Sequence, residues 1–283
     1  MPFSETEEKI LSHDPKVYAV SSKENDENLD VVVKLKDLVA KEYVDTNVSV
    51  SLLNNFFECP RKWYFRNLLK LPEVKSDSLE FGSSVHDAID KILKLKKAPT
   101  EKEIKEIVGD DKKILKIVST WVKSRLPDIS LKRENEKSVS IHGKEFPYLS
   151  IYGKIDLIEE IEDRKLRVTD FKTGNVRKKS DIEKNNEEGR MSDYMRQLAM
   201  YSYLLEESRK QKNIVSVSCL EFLEALGEEK DCFYKTAISE EEIELLKKDI
   251  KDYDDLVKGG KWFERSCNYK TFGKNSECEY CKM

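Results

Sequence analysis

Two acids and a base stand at spacings that could do chemistry. The stretch RVTDFKTG (167–174) carries Asp170 and Lys172 two positions apart, and YGKIDLIEE (152–160) carries Asp156 shortly before them. Both stretches alternate and are rich in β-branched residues, so both read as strands, joined by a turn at DRK (163–165). Side chains two apart on a strand point the same way, which sets Asp170 beside Lys172. A hairpin lets Asp156 and Asp170 face the same side near one end of a sheet. Two carboxylates side by side repel unless a cation lies between them. Oxygen ligands of this kind suit Mg²⁺ or Mn²⁺, which keep several waters and bind phosphate oxygens. Lys172 can then orient or deprotonate an attacking water, or neutralise charge developing on a phosphate. Taken alone, the acid–base pair reads more readily as a solvated ion pair before a glycine turn. The rest of the chain favours chemistry.

Four of the six cysteines form a second pattern: Cys59 in ECPRKWYF, then Cys267, Cys278 and Cys281 late in the sequence. A lone C-x-x-C is shared among redox, zinc and iron–sulfur sites. With Cys59 and Cys267 the set becomes Cys₄, which either Zn²⁺ or a [4Fe–4S] cluster can use. Cys219 and Cys232 fall in predicted strands and read as small core hydrophobes.

The chain of 283 residues is long enough for one large domain or two small ones. It is 39% hydrophobic and 37% charged, with a net charge of −4. That excludes non-specific coating of nucleic acid by the whole surface, though not a local basic groove. No run of about 18 apolar residues exists, so no membrane-spanning helix is expected. The opening MPFSETEEKILSHD lacks a hydrophobic signal core. An intracellular protein is therefore expected, where disulfides are uncommon and clustered cysteines need another role.

The elements that must position these groups follow from periodicity. Residues 1–47 read as a charged N-terminal extension, with VYAV and DVVVKLKDLVAKEYV as its apolar stretches. Ser49 or Ser51 caps a helix carrying Leu52, Leu53, Phe56 and Phe57, and Pro60 divides it from a second helical piece. Asp77 or Ser78 opens a helix with Phe81, Val85, Ile89, Ile92 and Leu93 on one face. Two charged helices over about 100–126 end at Pro127. A meander of three strands follows, with Glu134 or Glu136 opening its first strand as an acid that could support the site. Residues 176–192 are polar. DYMRQLAMYSYLLEESRK is a helix, IVSVSCLEFL and CFYKTAI are strands, and SEEEIELLKKDIKDYDDLVKGG is a helix with acids at its start and glycine past its end. The tail from Lys261 has no period. This order predicts an α/β (α+β-like) fold, a central mixed sheet flanked by helices.

The string GKIDLI…VTDFKTG…RQLAMYSYLL resembles the PD-(D/E)XK nuclease superfamily, and within it the RecB-like branch. The pattern there is G-x-(I/V)-D on one strand, D-x-K on the next and Q-x-x-x-Y on the following helix. Gly153, Asp156, Asp170, Lys172, Gln197 and Tyr201 supply it in that order, and FGSSVHD places His86 on the early helix. The resemblance spans about 48–283 and implies a nuclease domain there. It implies His86, Asp156, Asp170 and the Phe171 main-chain carbonyl as ligands of Mg²⁺ or Mn²⁺, with Lys172, Gln197 and Tyr201 completing the catalytic set. It favours a [4Fe–4S] cluster over Zn²⁺ at Cys59, Cys267, Cys278 and Cys281, although the late cysteines run in a different order from the usual one. It also implies DNA ends or single strands as substrate, in recombination, repair, phage replication or CRISPR spacer acquisition. No Walker A run is present, so a helicase would be a separate partner. Arg61, Lys62 and Arg66, with the loop VRKKSDIEKNN (176–186) and Arg196, are the candidate DNA contacts. The rival reading is a non-catalytic nucleic-acid binding module of the same fold.

Overall fold

The computed structural model of the chain describes residues 27–43, 47–72, 76–210, 212–227, 231–271 and 274–282. The VYAV segment lies outside them. In chain order the first α-helices among the described residues are α1 (Glu27–Tyr43), α2 (Val50–Glu58), α3 (Pro60–Trp63), α4 (Asp77–Leu93), α5 (Glu101–Val108) and α6 (Lys112–Ser124). After the first strands come α7 (Lys179–Glu183), α8 (Asp193–Ser208) and α9 (Glu240–Lys258). The chain divides into two compact units. One is Asn47–Asn54 with Pro72–Asp252, and the other comprises the described residues of Met1–Thr46, Asn55–Leu71 and Tyr253–Met283.

The first unit is built on five strands that lie side by side in chain order: β1 (Arg133–Ile141), β2 (Ile151–Glu162), β3 (Lys165–Lys172), β4 (Ile214–Phe222) and β5 (Phe233–Thr236). The β3–β4 pair is parallel and the other three pairs are antiparallel, so the sheet is mixed as expected. A parallel pair requires a crossover, and 173–213 supplies it with α7 and α8. The stretch expected to be a polar connection thus contains a short helix, because Ile182 finds a buried position.

Local chemistry starts three helices that precede the sheet in this unit. Ser76, one residue before the expected caps, accepts the Leu79 N–H and opens α4. Thr100 and Glu103 form a reciprocal capping box on α5, and Asp111 accepts two N–H groups at the start of α6. These helices bury Val85, Ile89, Ile104, Val118 and Trp121 together with Leu157 and Phe171 of the sheet. Neighbouring residues on a strand point to opposite faces. Phe171 enters that cluster while Asp170 meets α8, so helices cover both faces of the sheet.

The second unit gathers aromatic rings. Phe56, Trp63 and Tyr253 contact one another edge-on, and Trp262 stacks on Tyr64 at 5.1 Å. Trp63 Nε1 donates to the Tyr253 hydroxyl at 3.2 Å. Pro60 opens α3 directly after Cys59, and the Leu69 N–H reaches back to the Tyr64 carbonyl in a wide turn. The tail without a period holds a two-residue hairpin, β6 (Lys270–Thr271) and β7 (Lys274–Asn275), between Cys267 and Cys278.

Gly153 explains how closely α8 approaches β2. A Cβ there would lie 2.6 Å from Leu204 Cδ1 and 3.5 Å from the Tyr201 ring, both buried. Gly153→Ala is expected to destabilise the chain by about 1–3 kcal/mol through overpacking, measured by urea denaturation.

Candidate active site

The sheet register brings the acids together. Leu157 faces Thr169 across β2 and β3, so Asp156 and Asp170 are the next facing positions. Asp156 Oδ2 accepts the Phe171 main-chain N–H at 2.8 Å, and Oδ1 lies 3.4 Å from His86 Nδ1, which α4 delivers. The His86 ring packs edge-on to Phe171 at 5.9 Å. Glu136 of β1 joins them: one ligand atom each from His86, Glu136 and Asp156 lie within 4.8 Å of one another.

Asp170 is 3% exposed, and α8 meets it. Gln197 Nε2 donates to Oδ1 at 2.7 Å, and the Tyr201 hydroxyl donates to the same oxygen at 3.4 Å. Lys172 Nζ lies 2.8 Å from Oδ2 as an ion pair, yet this buried oxygen accepts no well-directed hydrogen bond. Gln197 Oε1 in turn accepts from Lys172 Nζ at 2.7 Å. One amide, one helical turn before Tyr201, thus ties the acid to the base.

Burial and mutual charge set the protonation states. Burial raises the Asp170 carboxyl, the Lys172 ammonium opposes it, and the Asp156 charge adds to the rise. Burial alone would lower Lys172, but the Asp170 carboxylate beside it outweighs that and leaves it raised, a held cation. For His86 burial also pulls downward, while the bond to Asp156 and the charges of Asp156, Asp170 and Glu136 bring the net shift upward. Burial, then the two aspartates, push the Tyr201 phenol well above its ordinary range, so it remains a donor.

The structure therefore brings His86, Asp156, Asp170, Phe171, Lys172, Gln197 and Tyr201 into one constellation. It also separates the two acids of the first strand. Glu134 is engaged by Arg209 and by Lys137 at 2.8 Å, whereas Glu136 turns to His86. The signal for Glu136 is φ 49°, which strand periodicity does not reveal. Arg196 is a correction. It is 1% exposed, and its guanidinium donates to Asp249 at 2.8 Å, to the Asn54 side chain at 2.6 Å and to the Met191 carbonyl at 3.0 Å. Its side chain points into the protein because that buried carboxylate needs a partner, so it presents nothing to DNA. Arg177 and Lys178 are exposed and line a cavity of ≈ 560 Å³ just past Lys172.

In the other unit the four expected cysteines meet. Cys59 Sγ lies 3.4 Å from Cys278 Sγ and 3.6 Å from Cys281 Sγ, and all four sulfurs fall within 4.8 Å of one another. Cys59 and Cys278 are buried among Phe65, Tyr269 and Tyr280. Arg61 is exposed and donates to the Cys281 carbonyl at 3.4 Å, Lys62 pairs with Glu58 at 2.5 Å, and Arg66 is half-buried. Cys219 is buried in β4, and Cys232 is buried just before β5.

The family model of the PD-(D/E)XK nuclease superfamily matches residues 47–283. Among solved structures, the chain is similar to a candidate exonuclease from Eubacterium rectale, at 14% identity and a TM-score of 0.50, covering 85% of this chain and 88% of that one. It also aligns with SSO0001 at 14% identity and a TM-score of 0.35, over 80% of this chain and 86% of that one. The first likeness speaks for the fold, and the second carries no argument. The search of curated proteins finds no match. Among the described residues, no helix is long and apolar enough to cross a membrane.

The buried Arg196–Asp249 pair yields a test of its role. Arg196→Ala is expected to lower stability by about 1.5–3 kcal/mol, since Asp249 loses one of its two guanidinium partners and keeps Arg190 at 2.6 Å. Urea denaturation measures this. A DNA contact would instead lose binding at unchanged stability.

Proposed function

The chain belongs to the PD-(D/E)XK nuclease superfamily, and from that premise we propose that it is a metal-dependent deoxyribonuclease acting on DNA ends or single strands, with 48–283 as its nuclease domain and 1–47 as a charged extension. The observation that carries this reading is the joined array of Lys172, Asp170, Gln197 and Tyr201 beside His86 and Asp156. The donor set of two carboxylates and one imidazole suits a hard divalent ion. Mg²⁺ or Mn²⁺ held by His86, Asp156, Asp170 and the Phe171 carbonyl would supply a Lewis acid for the phosphodiester and lower the pKa of water.

The protein's own groups do the rest. Lys172, kept protonated by Asp170, can stabilise the charge that builds on the phosphate as the nucleophile enters. Gln197 holds both Lys172 and Asp170, so neither has to reorganise during the reaction. Tyr201, a buried phenol, donates to Asp170 and favours its ionised form. Arg61, Lys62, Arg66, Arg177 and Lys178 are candidate phosphate contacts. Recombination, repair or phage or CRISPR DNA processing, alongside a separate helicase or recombination partner, is the proposed setting.

The four cysteines hold a metal centre in this reading: a [4Fe–4S] cluster on the strength of the resemblance, with Zn²⁺ as the alternative. A single tetrahedral ion with bonds of 2.3 Å spaces its sulfurs about 3.8 Å apart, near the 3.4 and 3.6 Å seen here. A cluster sets its irons and sulfides between the thiolates and needs them further apart. The four thiolates, all within 4.8 Å of one another, would have to move apart to take it.

Two experiments test the proposal. End-labelled linear and closed circular single-stranded DNA are incubated with wild type and Lys172→Ala in Mg²⁺, Mn²⁺ or EDTA. Wild type is expected to release label only with metal, and Lys172→Ala to be slower by about 10²–10³-fold. Resistance of the circle would mark an exonuclease, whereas no cleavage under any condition would leave a binding module. Separately, protein purified without oxygen is expected to carry iron and acid-labile sulfide with a brown absorbance that Cys278→Ser removes. Stoichiometric zinc without sulfide would assign the alternative.

A further inference from the structure

The acids of the site form a row across three strands. Asn135 pairs with Leu157 and Lys137 with Ile155, which sets Glu136 opposite Asp156, and the β2–β3 register sets Asp156 opposite Asp170. Like charges directly opposite each other on neighbouring strands destabilise a sheet. Glu136 also sits in the left-handed region, φ 49°, within a strand, where non-glycine residues are uncommon. A charged residue in such a place needs a compensating partner. Lys154 takes Oε2 of Glu136 as an ion pair, but that lysine is half exposed at its side chain. Near Glu136 stand also His86 and Asp156, with one ligand atom of each of the three within 4.8 Å of the others.

We propose that Glu136 is a direct ligand of the catalytic cation, joining His86 and Asp156 to hold a divalent ion of the Mg²⁺/Mn²⁺ class, and that Lys154 occupies its carboxylate when the ion is absent. This rests on the metal-nuclease reading and adds a ligand to it. One feature supports it independently of the acid row: the imidazole of His86, a common metal ligand, stands with Glu136 and Asp156 so that one ligand atom of each lies within 4.8 Å of the others. The neighbouring acid Glu134 is occupied by Arg209 and Lys137, which makes it a matched control on the same strand.

The test is Mn²⁺ binding by isothermal titration calorimetry on the full chain, without DNA. Glu136→Gln is expected to weaken Mn²⁺ binding by about tenfold or more, with Glu134→Gln close to wild type. Glu136→Asn serves as a second variant, because asparagine tolerates left-handed backbone and keeps the strand intact. Lys154→Ala is expected to bind Mn²⁺ at least as tightly as wild type, since it removes a competitor. Wild-type affinity in both Glu136 variants overturns the proposal while leaving the nuclease reading intact. A loss in Lys154→Ala equal to that in Glu136→Gln also overturns it, because the pair would then act only through the strand. If wild type binds no Mn²⁺, the metal-nuclease reading itself falls, and Glu136 with it.

Discussion

Repulsion among carboxylates at one end of the sheet is the constraint on which the rest of this site depends. The registers of β1, β2 and β3 bring Glu136, Asp156 and Asp170 into line, and burial strengthens every charge interaction there. Each acid is countered from a different direction. Asp156 has the Phe171 N–H and His86, Asp170 has Gln197, Tyr201 and Lys172, and Glu136 has Lys154. No single element supplies these partners. The site is therefore only as well formed as the packing of α4 and α8 on the sheet.

For α8, that packing rests on size and on charge. The missing side chain at Gly153 admits Leu204 and Tyr201 against β2, and the Ser202 hydroxyl meets Ser218 on β4 at 3.1 Å. At the start of the helix, Arg196 binds Asp249 of α9, and Arg190 reaches the same carboxylate at 2.6 Å. An ion pair this buried is costly to break from one side. It fixes the rotation of α8, and with it the direction in which Gln197 points, one residue along.

Much of this was legible in the sequence because it lies in local patterns. Alternation gives β2 and β3, two-residue spacing gives the Asp170–Lys172 pair, and four-residue spacing gives Gln197 and Tyr201. The Cys₄ set was legible from the late C-x-x-C run and from the strand context that sets Cys219 and Cys232 aside, although its members are far apart in the chain. What was hidden has non-local causes. Arg196 reads as a basic residue near DNA-facing polar sequence, and only its distant partners Asp249 and Asn54 show that it is internal. Glu134 and Glu136 are indistinguishable by type and neighbourhood; a single backbone angle and Arg209 separate them. The cap of α4 fell on Ser76 because three adjacent residues all have capping chemistry and the chain's approach chose among them. The helix α1 lies in charged sequence whose mixed pattern fits a strand as readily.

The cysteine set also has a bearing on the order of events during synthesis. Every strand of the five-stranded sheet precedes Cys267 in the chain, whereas Cys59 precedes them all. At about 5–20 residues per second, a ribosome adds the roughly 200 residues between these two cysteines in some tens of seconds. The sheet and its acids can assemble in that interval, while the thiol of Cys59 waits for its partners. The sulfur site then closes after the five-stranded sheet, and a chain stalled before Cys267 would carry the acids of the sheet without it.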